Sequence, residues 1–403
     1  MSPYFLVQQW LFIKTILIFA FFFIGLSDKL QAQVNYQLLH KNALVADLHN
    51  DALYSKIKGN NIESELKYSQ FDLVAMRNGG VDVQFFAVWP DPNQFNTISP
   101  YQQAVAMIDS FDAVLQRQSD KMAKALNQQN ILDIISTGKT AACLGLEGGE
   151  ALENNLERIN YFYKRGVRYI GLTWNNSLVW ASSARDESSR YWKGKKGLGS
   201  FGRLVVERMN ELGIMIDLAH AGEQTFYDVV QHSTKPVIVS HSSVYSICPH
   251  YRNLKDDQIR ALAKNDGVLF INFFPGYLVK GFDKVYRNAR KQADVIQDSL
   301  KMIEDHAPFN RAQFIHHRID SLYPGVSVVV DHIEYVINLV GEDYVGLGSD
   351  YCGMAIPPAG LENVSKLPNI TRELLRRGYT EETIKKILGG NFMRVFKQVT
   401  HSE

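Results

Sequence analysis

Short apolar runs rich in β-branched and aromatic residues recur down the chain, with amphipathic stretches between them. Eight read as strands: Leu44–Leu48, Val81–Val88, Thr140–Leu146, Val167–Thr173, Ile214–Leu218, Pro236–Ser240, Val268–Asn272 and Tyr344–Gly348. Near-continuous apolarity, rather than alternation, suits strands covered on both faces, as in a parallel sheet wrapped by helices. The intervening pattern predicts helices such as Tyr101–Leu126, Ser200–Leu212 and Asp256–Lys264, the last opened by acidic residues that favour the positive end of a helix dipole. Eight β-then-α units predict an α/β chain folded as a (β/α)8 TIM-type barrel. A doubly wound open sheet is the alternative, but no glycine-rich phosphate loop follows the first strand. The rhythm breaks once, between strands 7 and 8, where 273–343 carries a charged helical pattern (Lys284–His306) and the pair His316-His317. That length predicts an extra helical insertion over or beside the barrel mouth, without a balanced core pattern of its own. Residues 33–403 then form a single catalytic barrel domain.

Ahead of this pattern, Lys14 precedes an uninterrupted apolar run, Ile16–Leu26, and Leu30-Gln31-Ala32 offers a small-residue cleavage site. Residues 1–32 therefore read as a signal peptide, with too short an apolar run to span about 30 Å of hydrocarbon. A secreted or periplasmic protein with no stable membrane anchor is expected. An uncleaved anchor recruiting Leu11–Ile13 is the alternative, with Lys14 a costly interruption. Composition narrows the partners: 46% of the 403 residues are hydrophobic, and 43 Lys+Arg against 42 Asp+Glu give a formal net charge of +1. That balance lacks the basic footprint of a nucleic-acid binder and favours a small-molecule partner. Three cysteines, Cys143, Cys248 and Cys352, exclude a disulfide scaffold and leave at least one thiol unpaired.

Candidate chemistry gathers at the C-terminal ends of the strands, where barrels of this kind place their active sites. After the first run come His49 and Asp51, two apart and so on one side of an extended chain. The third run ends in Glu147-Gly148-Gly149, the fifth leads to His220, the sixth to His241 and the eighth to Asp350. Each alone is an ordinary strand-end residue. Together they are three imidazoles and three carboxylates at one end of one barrel. Such a set can hold two divalent metals with Glu147 between them, and can activate a water.

The same segments carry a resemblance. Asp47-Leu48-His49-Asn50-Asp51, Leu146-Glu147-Gly148-Gly149, Gly171-Leu172-Thr173-Trp174-Asn175, Asp217-Leu218-Ala219-His220 and Ser240-His241-Ser242-Ser243 are followed by Pro249-His250-Tyr251-Arg252-Asn253, Gly346-Leu347-Gly348-Ser349-Asp350 and Gly389-Gly390-Asn391-Phe392-Met393-Arg394-Val395. In this order they resemble the renal (membrane) dipeptidase family, zinc peptidases of the metal-dependent amidohydrolase type, over nearly all of the chain after the signal. The resemblance implies two Zn2+ per chain, one on His49 and Asp51, the other on His220 and His241, with Glu147 bridging both. It implies that Asp350 handles the proton of the bridging water and that Arg252 binds the free carboxylate of a dipeptide. A guanidinium fork matches a carboxylate bidentately, so this role is physically sensible. The implied activity is hydrolysis of dipeptides by a metal-bridging hydroxide, with room for a D-residue at the C-terminal position, in a family that often forms homodimers.

Two departures stand out. Mammalian members place a histidine where this chain has Trp174, which leaves Asn175 or the second zinc to polarise the substrate carbonyl. Cys352 replaces an aspartate and is expected to pack as a small residue. The alternative function is that of a related amidohydrolase acting on lactams, lactones or N-acyl amino acids. Those barrels often bridge their metals with a carboxylated lysine after the fourth strand, where this chain has Thr173-Trp174. A peptide-binding pseudoenzyme would have lost a ligand, yet every ligand position is filled. His332, in the helical pattern Asp331–Leu339, is expected to bond locally, and His316-His317 to face solvent.

Overall fold

A buried aspartate on the first strand closes the barrel onto the last. In the computed structural model, which describes residues 36–300 and 309–401, the strands are β1 (Ala46–Asn50), β2 (Val83–Val88), β3 (Met122–Lys124), β4 (Thr140–Leu146), β5 (Val167–Gly171), β6 (Met215–Asp217), β7 (Ile238–Ser242), β8 (Val268–Ile271) and β9 (Val345–Leu347). All pair in parallel, in the order β1-β2-β4-β5-β6-β7-β8-β9. Asp47 accepts hydrogen bonds from Ser349 N–H (2.8 Å) and Ser349 Oγ–H (2.7 Å), and Asp350 N–H donates to His49 O (3.0 Å). A parallel bridge between Asn50 and Tyr351 completes the seam. The eight-stranded (β/α)8 expectation therefore holds. The signal segment, residues 1–32, lies outside the described residues, among which no helix is long and apolar enough to cross a membrane.

The expected helix Tyr101–Leu126 is shorter than its pattern. It runs Pro100–Arg117, started by a Ser99–Gln102 capping box, and Met122–Lys124 then becomes β3. This strand pairs the first residues of β4, while β5 pairs its last ones. Three residues carry no readable period, so only the neighbouring strand could define it.

Inward-facing side chains fill the barrel: Ala46, Phe85, Cys143, Tyr169, Met215 and Phe270 share one buried cluster with Phe392 and Phe396 of the helix Asn391–Val399. That helix sits under the N-terminal ends of the strands, where Asn391 Nδ2 donates to Val345 O (2.8 Å). Gly145 is required here, because a Cβ would come within 1.9 Å of the Tyr169 ring. With its bottom plugged, the barrel is open to ligand only at the strand C-termini.

The insertion falls between β8 and β9, the seventh and eighth barrel strands, as expected, but its extent differs. The helix Val326–Val340 packs Val329, Ile333 and Val336 into the main core and is the barrel's own helix. The added part is smaller. Helices Phe282–Leu300 and Arg311–Ile319 pack around Phe282, Tyr286, Ala289, Ala293, Ile315 and Ile319, a satellite core the sequence pattern did not reveal. His316 and His317 are exposed on its surface. His332 is buried and bonds locally, accepting from Val244 N–H (3.0 Å) and donating to Leu278 O (3.0 Å).

Candidate metal centre

The strand ends bring His49, Asp51, Glu147, His220, His241 and Asp350 together, all but Asp350 buried. Glu147 presents its two oxygens to two different groups. Oε2 lies 3.5 Å from His49 Nε2, which is 3.6 Å from Asp51 Oδ2. Oε1 lies 3.1 Å from His220 Nε2 and 3.5 Å from His241 Nε2. Ligand atoms of His49, Glu147 and His241, and of His49, Asp51 and Asp350, fall within 4.8 Å of one another. Two positions are held in backbone conformations that side chains rarely adopt, His220 at φ 66° and Asp350 at φ 64°. Each costs roughly 1–3 kcal/mol, and such strain gathers at functional sites. Gly353 is equally constrained, because a Cβ there would lie 2.1 Å from Asp51 Oδ2 and 2.3 Å from Asp350 Oδ1.

The outer ring nitrogens decide what the inner ones can do. His241 Nδ1 is 2.8 Å from Ser240 Oγ, whose own proton goes to Asp217 Oδ2 (2.6 Å), so His241 donates from Nδ1. His220 Nδ1 likewise donates to Asn175 Oδ1 (3.1 Å). Burial lowers both imidazoles, His220 to about 4 and His241 well below its ordinary value, and the Arg252 cation adds to the effect. Near neutral pH both are therefore uncharged with lone pairs at Nε2, and these lone pairs face each other 3.0 Å apart beside a carboxylate oxygen. His49 Nε2 is buried with no hydrogen-bond partner, while its Nδ1 meets Tyr169 Oη at 2.8 Å. Burial would lower His49, but Tyr169 and the facing Glu147 and Asp51 drive it well upward, so the spot calls for positive charge. A donor set of converging lone pairs and carboxylates fits divalent metal ions. Glu147 is held well below the usual range, the imidazoles outweighing burial, whereas burial and then Asp51 push Asp350 well up.

A cavity of about 260 Å3 opens over these groups. Tyr54, Trp89 and Trp174 line it together, with ring centroids 4.8 Å (Tyr54–Trp89) and 5.1 Å (Trp89–Trp174) apart. Arg252 also lines it, buried, 5.5 Å from the Tyr277 ring centroid. Its Nη2 donates to His241 O (3.0 Å), its Nε has no partner, and no carboxylate among the described residues pairs with it. Asn175 lines the cavity too, but gives its amide oxygen to His220 rather than to open space. Cys352 also borders the cavity, with burial raising its thiol to about 12, and all three cysteines are free.

Several contributors escaped the sequence reading. Tyr169, Ser240 and Asp217 orient the imidazoles, Asp47 and Ser349 hold the seam, and Asn272 Nδ2 donates to Asp350 Oδ2 (2.9 Å). Asp47 and Asp217 each precede a site histidine within a quoted motif, and that spacing was the available signal.

A parallel eight-stranded barrel with imidazoles and carboxylates converging at its strand C-termini defines a metal-site TIM-barrel protein. The family described as membrane dipeptidase (Peptidase family M19) matches residues 33–403, and the chain belongs to it. Dipeptidase 3 of Rattus norvegicus is 32% identical over 330 residues, 82% of this chain and 58% of that protein. The chain thus spans little more than half the length of that relative. The probable dipeptidase PvdM from Pseudomonas aeruginosa shares the fold at a TM-score of 0.75 and 22% identity, covering 92% of this chain and 98% of that one. A metallo peptidase from Rhodobacter sphaeroides, crystallised with a phosphinate mimic of the dipeptide L-Ala-D-Ala, does so at 0.73 and 23%, covering 89% and 99%.

Proposed function

We propose that this chain is an exported metallo-dipeptidase that holds two zinc ions and hydrolyses the peptide bond of dipeptides, the span 33–403 acting as one catalytic domain. One observation carries the reading: an unpaired, buried guanidinium shares a single 260 Å3 cavity with the metal donor set. His49 and Asp51 would hold one ion, His220 and His241 the other, and Glu147 would give one oxygen to each. Two zinc ions so held would lower the pKa of a water and polarise the scissile carbonyl. Arg252, which pairs with no carboxylate among the described residues, receives the free carboxylate of the substrate. A cavity this small then sets the peptide bond one residue away, over the metal donors. Asp350, held by Asn272, takes the proton of the attacking water and returns it to the leaving amine. Asn175 keeps His220 in its ligand tautomer. The phosphinate mimic bound by the Rhodobacter sphaeroides protein supports a dipeptide as substrate and a D-residue at its C-terminal position.

The test joins metal content to hydrolysis on the purified chain. The panel holds L,L and L,D dipeptides, a tripeptide, a dipeptide amide and an N-acyl amino acid. About two zinc per chain, with cleavage confined to free-carboxylate dipeptides and lost on chelation, is expected. Cleavage of the amide or of N-acyl substrates alone would overturn the dipeptidase reading. Export through residues 1–32 and pairing as a homodimer complete the proposal; N-terminal sequencing of the exported chain and light scattering check them.

A further inference from the structure

The helix pair Phe282–Leu300 and Arg311–Ile319 has a small core of its own, and a short run of rings connects that core to the cavity. Phe274 packs against Phe282 and Tyr286, with ring centroids 6.5 Å and 6.4 Å away, and meets the Tyr277 ring edge-on at 5.0 Å. Tyr277 lines the cavity, and the Arg252 guanidinium lies 5.5 Å from its ring centroid. Asn253 ties the two segments together, its Nδ2 donating to Cys248 O and to Tyr277 O (both 2.8 Å).

His250 makes a second link. Its ring lies against both Tyr277 and Tyr251, with centroids 4.7 Å and 4.3 Å away. Its Nδ1 accepts from the Arg252 backbone N–H (3.2 Å), which leaves the proton of the neutral ring on Nε2. Nε2 faces Asp283 Oδ2, in the first turn of the inserted helix, at 3.8 Å. Burial would raise Asp283, but His250 and Arg287 bring it below its ordinary value, so its carboxylate is charged near neutral pH. At that distance the contact orients the ring by charge rather than through a hydrogen bond.

These links bear on how Arg252 is aimed. A guanidinium that reads a carboxylate with two parallel bonds must hold its plane and direction closely. The side chain's own bond fixes only Nη2, on His241 O, while Nε has no partner. The backbone of Arg252 and the Tyr277 ring beside the guanidinium therefore set where its free edge points, and His250 contacts both.

We propose that the inserted helices buttress the substrate anchor, with His250, oriented by Asp283, as the positioning residue that aligns Arg252 with the free carboxylate of the dipeptide. This rests on the dipeptidase reading. His250 acts through Arg252 rather than on the substrate, so its loss should weaken binding and spare the chemical step.

The test is a double-mutant cycle read on hydrolysis of L-alanyl-L-alanine. His250→Phe keeps a ring against both tyrosines and removes both nitrogens, whereas His250→Asn puts an amide oxygen near the place of Nδ1. A phosphinate analogue of the dipeptide and its carboxamide are titrated by calorimetry in parallel, so that binding is read without turnover. H250F should raise KM, and Kd for the carboxylate analogue, by about three- to tenfold with kcat little changed. H250N should recover most of that loss, and D283N should show a smaller loss of the same kind. Binding of the carboxamide should not move, and in an R252M background H250F should have no further effect. The same loss in the R252M background, or for the carboxamide, would overturn the positioning role, as would an unchanged KM. Where H250F does not fold, D283N carries the test, and unchanged analogue binding in it would overturn the proposal. No hydrolysis by the parent protein, with the carboxylate analogue still bound through His250 and Arg252, would keep the buttressed anchor and overturn the dipeptidase reading. Neither analogue bound would overturn both.

Discussion

Tyr169 Oη lies 2.8 Å from Nδ1 of His49, deep inside the barrel where neither group meets water. The bond joins β1 to β5 across the interior, and Gly145 leaves the room it needs. With its outer nitrogen engaged there, His49 turns Nε2 toward Asp51 and Glu147. Tyr169 thus positions His49 within the candidate metal donor set. Tyr169→Phe, which keeps the packing and removes the hydroxyl, should weaken one of the two proposed metals by about 10–100-fold in a chelator competition. Unchanged affinity for both ions would leave the phenol a packing role only.

Asp350 sits beside Asp51 with Asn272 on its Oδ2 and, among the described residues, no imidazole hydrogen-bonded to it. Asp350→Asn keeps the shape and removes the proton acceptor. Turnover should fall by about 10²-fold or more while metal content stays near that of the parent protein. Full turnover in this variant would move the proton-handling role elsewhere.

Arg252 is buried in the same cavity as the candidate metal donors, and no carboxylate among the described residues pairs with it, which leaves its charge open to the proposed substrate carboxylate. Arg252→Met should lower kcat/KM for free-carboxylate dipeptides by about 10²-fold, in line with the loss of a buried charged pair. Discrimination against the dipeptide amide should collapse at the same time. A variant that still rejects the amide would show that another group reads the carboxylate.

Stability should depend on pH through His332. Burial pushes this imidazole down to about 4, and its Nδ1 must stay unprotonated to accept from Val244 N–H. Unfolded, it titrates near 6.5, so between those values the unfolded chain binds the extra proton. His332 therefore favours folding fully above pH 6.5 and loses that contribution as pH falls toward 4, by at most about 3 kcal/mol. Denaturant unfolding at pH 7 and pH 4.5, for the parent and for His332→Gln, should show the stability gap narrowing in acid. A constant gap would mean that the ring titrates normally.

Much of the barrel was legible because its strands are buried on both faces and therefore nearly all apolar, a signal that needs no partner to be seen. The boundaries of the insertion were not. Val326–Val340 reads as one more helix after a charged one, and only its packing of Val329, Ile333 and Val336 into the main core assigns it to the barrel. The paired helices beside it hide their small core because its apolar residues are few and divided between two segments. Likewise, β3 exists because β4 leaves an edge open at Thr140–Ala142.

The chain by itself determined the repeating β–α order, the strand-end placement of His49, Asp51, Glu147, His220, His241 and Asp350, and the family those motifs resemble. These are local properties, carried by side-chain period and by short spacings. Only the tertiary structure decided that Glu147 divides its oxygens between two pairs of donors, that Asn175 serves His220, and that Arg252 meets no acid among the described residues. The same is true of Tyr169 meeting His49 and of Asp47 meeting Ser349, contacts between residues 120 and 302 positions apart. Such pairs are invisible to any period. They form because closing a parallel barrel brings its first strand beside its last and points alternate side chains of every strand into one interior.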